Sequence, residues 1–277
     1  MRKYYSLLLK YITWISAFLT FTMLILIICY ILVRGIPFIK PSLFEFAYNT
    51  NNVSLMPALV TTVMTVGLAL LIAVPFGVFS AIYLVEYGTR GSKLVSLVRM
   101  TAETLSGIPS IIYGLFGSLF FVIWLGWGYS LLAGSLTLAI MVLPLIMRTT
   151  EESLMAVPDS YREGSFGLGA GKLRTVFRIV LPSAAPGILS GVILAIGRIV
   201  GETAALIYTA GTVAQIPSSP MSSARTLSIH MYALSSEGLY TGQAYATAVI
   251  LLLVVVAINA LSSYLTKSMS RRLYSID

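Results

Sequence analysis

Charge is what this sequence has least of. Only 10% of its 277 residues are Asp, Glu, Lys or Arg, whereas 57% are hydrophobic. Soluble domains carry about 25% charged residues, so an ordinary globular fold is excluded. Cysteine is reduced to Cys29, which lies inside an apolar run. No intrachain disulfide framework can exist, and Cys29 is left to face lipid or pack. Histidine is reduced to His230, in a polar outer segment, which excludes a paired-histidine zinc site and argues against a Ser-His dyad within the apolar runs. Asp159 and Asp277 are the only aspartates. Both fall outside those runs, which removes a paired-aspartate intramembrane protease. Neither a Walker A loop nor a dinucleotide glycine fingerprint is present, so direct nucleotide binding is not expected. The chain also lacks a Gly/Ser linker, a low-complexity run and a strong repeat, and one helical domain over 1–277 is the economical reading.

What remains is an abundance of long apolar stretches. A bilayer core about 30 Å thick is crossed by a helix of about 20 residues. Residues 11–33 form a first span, too long for a signal-peptide core, and a second lies near 56–83. Between Glu103 and Arg148 run 44 uncharged residues, enough for spans at 104–125 and 130–147. Trp124, Gly126, Trp127, Gly128 and Tyr129 mark the corner between them as an interfacial turn. A fifth span is expected at 185–209 and a sixth at 243–266. The fold class is an all-α integral membrane protein with six transmembrane helices.

The net charge of +8 points to membrane topology, and nucleic acid is not an expected partner. With the N-terminus inside, the inner segments hold Arg2, Lys3, Lys10, Arg90, Lys93, Arg99, Arg148, Arg162, Lys172, Arg174, Arg178, Lys267, Arg271 and Arg272. Outside fall only Arg34, Lys40 and Arg225. Cations accumulate on the cytoplasmic side, so both termini are expected in the cytoplasm, with a long inner loop at 148–184 and an outer loop at 210–241 over the external mouth.

Span five contains a cation and an anion, Arg198 and Glu202. A charge at the bilayer centre costs about 2.5–3.5 kcal/mol on the lenient scale, so such residues face protein or water. On a continuous helix Gly187, Gly191, Ala195, Arg198, Glu202, Ala205 and Thr209 share a stripe roughly 80° wide. One reading is mutual neutralisation at i and i+4, with glycines allowing close packing. The other is an anion pathway: Arg offers a planar fork for an oxyanion, Glu202 holds it when the anion is absent, and Thr203 lies beside them. A carboxylate there also accepts a hydrogen bond from a protonated oxyanion such as phosphate, which sulfate cannot supply. A second feature is Ser106-Gly107-Ile108-Pro109-Ser110. Proline removes a backbone donor, so this helix break either lines the pathway or is a plain kink. Pro75, Pro144 and Pro186 are more isolated.

In the inner loop, Ser160 and Glu163 have the spacing of a capping box at a helix start. The run Glu163-Gly164-Ser165, then Gly169, Ile179 and Leu181-Pro182 resembles the EAA loop of ABC importer permeases. Gly164 and Ser165 replace the usual alanines. The run from Leu105 to Gly117 and the run Gly197-Arg198-Ile199-Val200-Gly201-Glu202-Thr203-Ala204 resemble the PstA-type permeases of phosphate importers, with Ala204 where the paired PstC-type usually has Met. That resemblance implies the type I, MetI-like fold in the prokaryotic inner membrane and a non-catalytic subunit. Its transport pathway would be at Arg198, Glu202 and Thr203, and its coupling helix would include Arg162, Glu163, Gly164, Ser165 and Gly169. It further implies a PstC-type partner permease, a PstB-type ATPase dimer using ATP and Mg, and a PstS-type extracytoplasmic phosphate-binding protein. No cofactor is expected on this chain. The paired PstC-type phosphate permease, a permease for sulfate or molybdate, and an autonomous channel are the remaining alternatives.

Overall fold

In the computed structural model, residues 2–89 and 91–274 are described. Arg90 and Asp277 lie outside them. Among the described residues the regular elements are all helices, without strands. Helix α1 runs Arg2–Gly35, and α2 runs Met56–Ile82 and continues as a π-helical turn, Tyr83–Tyr87. Helix α3, Lys93–Ser106, is followed by α4, Ser110–Gly117, which passes into a π-helical stretch Ser118–Trp124. Helix α5 is Leu131–Met155 and α6 is Asp159–Gly167. Helix α7, Lys172–Thr175, leads through Val176–Val180 into α8, Leu181–Gly201. The short α9, Ala204–Ile207, the outer α10, Leu227–Glu237, and the long α11, Thr241–Tyr274, complete the chain.

Five of these helical runs are long and apolar enough to cross a membrane, or six when the bent pair α3–α4 counts as one. Three expected helix bounds need correction. The helix expected at 104–125 is broken, its halves bent by 101° between Ser106 and Ser110, because Pro109 cannot donate to the preceding turn and forces its neighbour out of helical geometry. From Ser110 to Trp124 the chain rises roughly 20 Å, short of a full bilayer. The helix expected at 185–209 instead runs Lys172–Gly201. It starts inside the presumed loop because no residue from 172 to 180 breaks it, and stops where Glu202 turns extended (φ −74°, ψ 127°). Helix α5 likewise continues past 147 to Met155, since Arg148, Glu151 and Glu152 are good helix formers.

Small side chains let the helices approach. Ala69 and Ala73 of α2, Leu138, Val142 and Ile146 of α5, Ala195 and Ile199 of α8, and Ala205 and Leu206 of α9 form the central core. A Cβ on Gly77 would lie 2.8 Å from Ile146 Cγ2, so glycine there sets the α2–α5 distance, as small residues do in membrane helix packing. A second core, at the end of α5 that leads into α6, joins Ile82, Leu84, Met147, Leu154, Val157, Val176 and Val180. Most side chains of α1 are exposed, Phe18 by 70% and Trp14 by 68%, the pattern of a helix in contact with lipid. Cys29 is among the exposed residues, so it does not pack into the core of this chain.

Candidate translocation site and coupling loop

The charged end of α8 is built differently from a continuous helix. Arg198 is exposed and Glu202 half-buried. No ion pair joins them, and among the described residues Arg198 has no carboxylate within 4.0 Å. Both the expected mutual neutralisation and the expected holding of Arg198 by Glu202 are therefore corrected. The cause is the end of α8 at Gly201: an extended Glu202 leaves the i, i+4 register. Its Oε1 instead accepts a hydrogen bond from Ala205 N–H at 3.2 Å, satisfying a free donor at the start of α9. Its carbonyl accepts from the Ser228 hydroxyl at 2.6 Å. Thr203, half-buried beside it, directs its hydroxyl toward the Gly201 carbonyl at 3.5 Å.

The expected small-residue stripe also divides. Gly187 and Gly191 lie against Ser153 and Thr149 of α5, Ala195 is fully buried, and a Cβ on Gly197 or Gly201 would meet nothing. Ala205 and Thr209 belong to the buried core beyond the break. Arg198 is thus on an open side of α8, separate from the packed one.

The break before α4 comes close to this segment. A Cβ on Gly114 would lie 2.8 Å from Ala205 Cα, so α4 and α9 pack backbone to backbone. The Tyr113 hydroxyl spans the break and donates to the Leu105 carbonyl at 2.7 Å, a carbonyl that also accepts from Ile108 N–H at 3.1 Å. Ser106 lines a cavity of about 630 Å³ with Arg99, Glu103, Arg148, Glu151 and Glu152. Gly107 and Pro109 are exposed at the bend and Ser110 starts α4. In this cavity Arg99 pairs with Glu151 at 2.5 Å and Arg148 with Glu152 at 3.0 Å. Arg198 does not line it.

In the inner loop, α6 begins at Asp159 after Pro158, with no side-chain cap. The expected Ser160–Glu163 capping box is absent, because Ser160 is already inside the helix and Glu163 points to solvent. Gly164 is exposed and an added Cβ there would meet nothing within 4 Å, whereas Ser165 is buried and shares a hydrogen bond with the Thr175 hydroxyl at 2.8 Å. Gly169 has φ +81°, the left-handed conformation that lets Gly169 N–H and Ala170 N–H bond back to Phe166 and Ser165 carbonyls at 2.9 and 3.1 Å and stop the helix. Arg162 points inward. Its Nε and Nη2 donate to Glu86 Oε1 at 3.1 and 2.8 Å, and Nη1 and Nη2 donate to the Val157 and Leu154 carbonyls at 2.8 and 2.9 Å.

Sequence reasoning missed Glu86, Ser228 and Tyr113. Glu86 and Arg162 are 76 residues apart, so no periodicity links them; the available signal was an acid just past the end of span two. His230 of α10 is fully buried. Among the described residues neither ring nitrogen has a hydrogen-bond partner, and the ring sits edge-on to Tyr48 at 6.0 Å. Burial, then the nearby Arg225 charge, holds its pKa down to about 4.

Residues 73–273 match the family described as binding-protein-dependent transport system inner membrane component. The chain is 34% identical over 230 residues to a probable ABC transporter permease protein, YqgI of Bacillus subtilis, covering 76% of each. It is 35% identical over 215 residues to the phosphate transport system permease protein PstA of Haemophilus influenzae, covering 76% of this chain and 74% of that one. Over 154 residues it is 43% identical to the phosphate transport system permease protein PstA 1 of Mycobacterium tuberculosis, and the match spans 56% of this chain but half of that relative's length. Among solved structures, an inward-facing MetNI methionine ABC transporter aligns with a TM-score of 0.62 at 21% identity, over 77% of this chain and 93% of that one. A bacterial alginate ABC transporter bound to its alginate-loaded periplasmic protein aligns with 0.60 at 18% identity, over 92% and 95%. These likenesses establish the MetI-like permease fold. With its multi-pass apolar helices, its breaks at Pro109 and Glu202 and its inner loop, the chain belongs to the inner-membrane components of binding-protein-dependent ABC transporters, and within them to the PstA-type permeases.

Proposed function

We propose that this chain is one permease half of an ATP-driven importer of inorganic phosphate. It would pair with a PstC-type permease, receive phosphate from a PstS-type binding protein, and take its power from a PstB-type ATPase dimer using ATP and Mg. The observation that carries this reading is Arg198, a cation without a carboxylate partner on an open side of a membrane helix. A guanidinium is not left facing lipid, so in the assembled complex this side faces the partner permease and the pathway between them. There the planar fork binds an oxyanion with two parallel hydrogen bonds.

Glu202 supports the choice of phosphate. One carboxylate oxygen is used by Ala205 N–H; the other makes no hydrogen bond among the described residues. A free carboxylate oxygen beside an anion repels sulfate and accepts the proton of hydrogen phosphate, so selectivity arises from the ligand's protonation. The cation distribution supports both termini being cytoplasmic, which places α6 on the ATPase side. Its exposed face, with Glu163, Gly164 and the 92% exposed Leu168, would then be the surface that docks.

The test is ATP-driven uptake in proteoliposomes holding the full complex, comparing labelled phosphate, sulfate and molybdate while following ATP hydrolysis. Phosphate-selective uptake that falls at least about a hundredfold in Arg198→Ala, the scale of losing an oriented anion donor, with the complex still assembled, is the expected result. Uptake of another oxyanion replaces the substrate. Undiminished phosphate uptake by the variant returns Arg198 to packing.

A further inference from the structure

The inner end of α2 is gripped from both ends of the loop that follows α5. From α6, Arg162 places two donors on Glu86 Oε1, with the two side chains only 14% and 7% exposed. From the start of α7, the Lys172 ammonium lies 5.0 Å from the ring centroid of Tyr87. Glu86 and Tyr87 are neighbours in the π-helical turn that ends α2. Arg162 also carries Asp159 at 3.3 Å on its solvent side and is tied to the Leu154 and Val157 carbonyls, so it joins α6, the end of α5 and the end of α2 at one point.

A largely buried ion pair is a poor stabiliser compared with apolar packing, and the second core already joins the ends of α2 and α5 to the Val176–Val180 turn without it. What the pair adds is direction. A planar fork with four acceptors around it resists rotation as well as separation, so a displaced α6 must carry Glu86 with it. Beyond that turn, α2 is locked to α5 through Gly77 and Ile146 and through Ala69 and Ala73 in the central core. Close-packed helices transmit displacement instead of absorbing it.

On the reading above that α6 docks an ATPase, we infer that Glu86 is the positioning residue through which the loop moves α2, with Arg162 as the link and Lys172–Tyr87 as a second hold. The pair sets how much transport each hydrolysis event produces. It touches neither the anion nor ATP.

The experiment measures phosphate taken up per ATP hydrolysed by the reconstituted full complex. In Glu86→Gln, hydrolysis continues and the ratio falls about two- to thirtyfold, the usual span for residues that carry coupling. Arg162→Lys lowers it similarly, and the double variant is no worse than either single one, since both remove one link. A ratio equal to wild type in Glu86→Gln, or uptake and hydrolysis falling together, overturns the inference and leaves the pair a fold support. Where a variant assembles poorly, Glu86→Cys/Arg162→Cys in a Cys29→Ser background decides: a short bis-maleimide bridge restores the ratio if the two sites move as one body. A bridge that leaves the ratio low overturns the inference. A wild-type complex that hydrolyses no ATP, or does not bind the ATPase, removes the docking reading itself, while coupled uptake of another oxyanion changes the substrate and leaves the role of Glu86 standing.

Discussion

At the scale of single residues, the same physics gives three charged or titratable groups different fates. Arg198 lies on an open face of α8 with no carboxylate within 4.0 Å among the described residues. Glu202 is half used as a cap, so Glu202→Gln preserves the bond to Ala205 N–H while removing the anion. Phosphate uptake is expected to weaken and the phosphate-over-sulfate ratio to narrow, about five- to thirtyfold for one charge-assisted bond worth 1–2 kcal/mol; an unchanged ratio counts against the carboxylate as a selector. His230, with no partner for either nitrogen, stays neutral. Its folded pKa of about 4 lies below the ordinary histidine value of 6.5, so as pH falls below 6.5 the unfolded chain takes up a proton that the folded one refuses. Stability is therefore lost between pH 6.5 and about 4, by at most about 3 kcal/mol, and levels off below. Thermal unfolding of the detergent-purified protein at several pH values in that window, compared with His230→Phe, checks the slope, which the variant should flatten.

At the scale of elements, breaks and close approaches position the site. Pro109 and the extended Glu202 interrupt two helices, and α4 and α9 meet at Gly114 and Ala205. There a new Cβ strikes backbone, which cannot move aside. Gly114→Ala is expected to cost about 1–3 kcal/mol through overpacking and to depress uptake. Gly67→Ala on α2 is the matched control: nothing lies within 4 Å of the added carbon, so stability should hold or rise by about 0.5–1 kcal/mol from the lost glycine freedom. Melting temperatures of the two variants side by side distinguish a specific contact from general sensitivity. The break at Pro109 was legible, because proline chemistry is local. The break at Glu202 was not. No residue there forbids a helix, and it is the bond from Ser228, 26 residues away, together with the packing of α9 on α4, that favours the extended form. A helical wheel drawn through 202 therefore placed Ala205 and Thr209 on the wrong surface.

At the scale of the whole molecule, topology is open to a direct check. Leu168 in the inner loop and Leu239 in the outer one are 92% and 81% exposed, and Cys29 is the only native thiol. In a Cys29→Ser background, a membrane-impermeant maleimide added to intact spheroplasts should label Leu239→Cys promptly and Leu168→Cys only after permeabilisation. The reverse pattern inverts the orientation and with it the docking of α6. The apolar runs, the cation bias, the Pro109 break and the inner-loop motif were readable in the chain alone, because hydropathy, charge placement and proline geometry act on a residue and its near neighbours. Tertiary packing alone decided where α8 ends, that Arg198 and Glu202 do not pair, and that Glu86 meets Arg162. Each of these depends on groups brought together from distant parts of the chain, where the energy of a contact is set by three-dimensional proximity and leaves no periodic trace in the sequence.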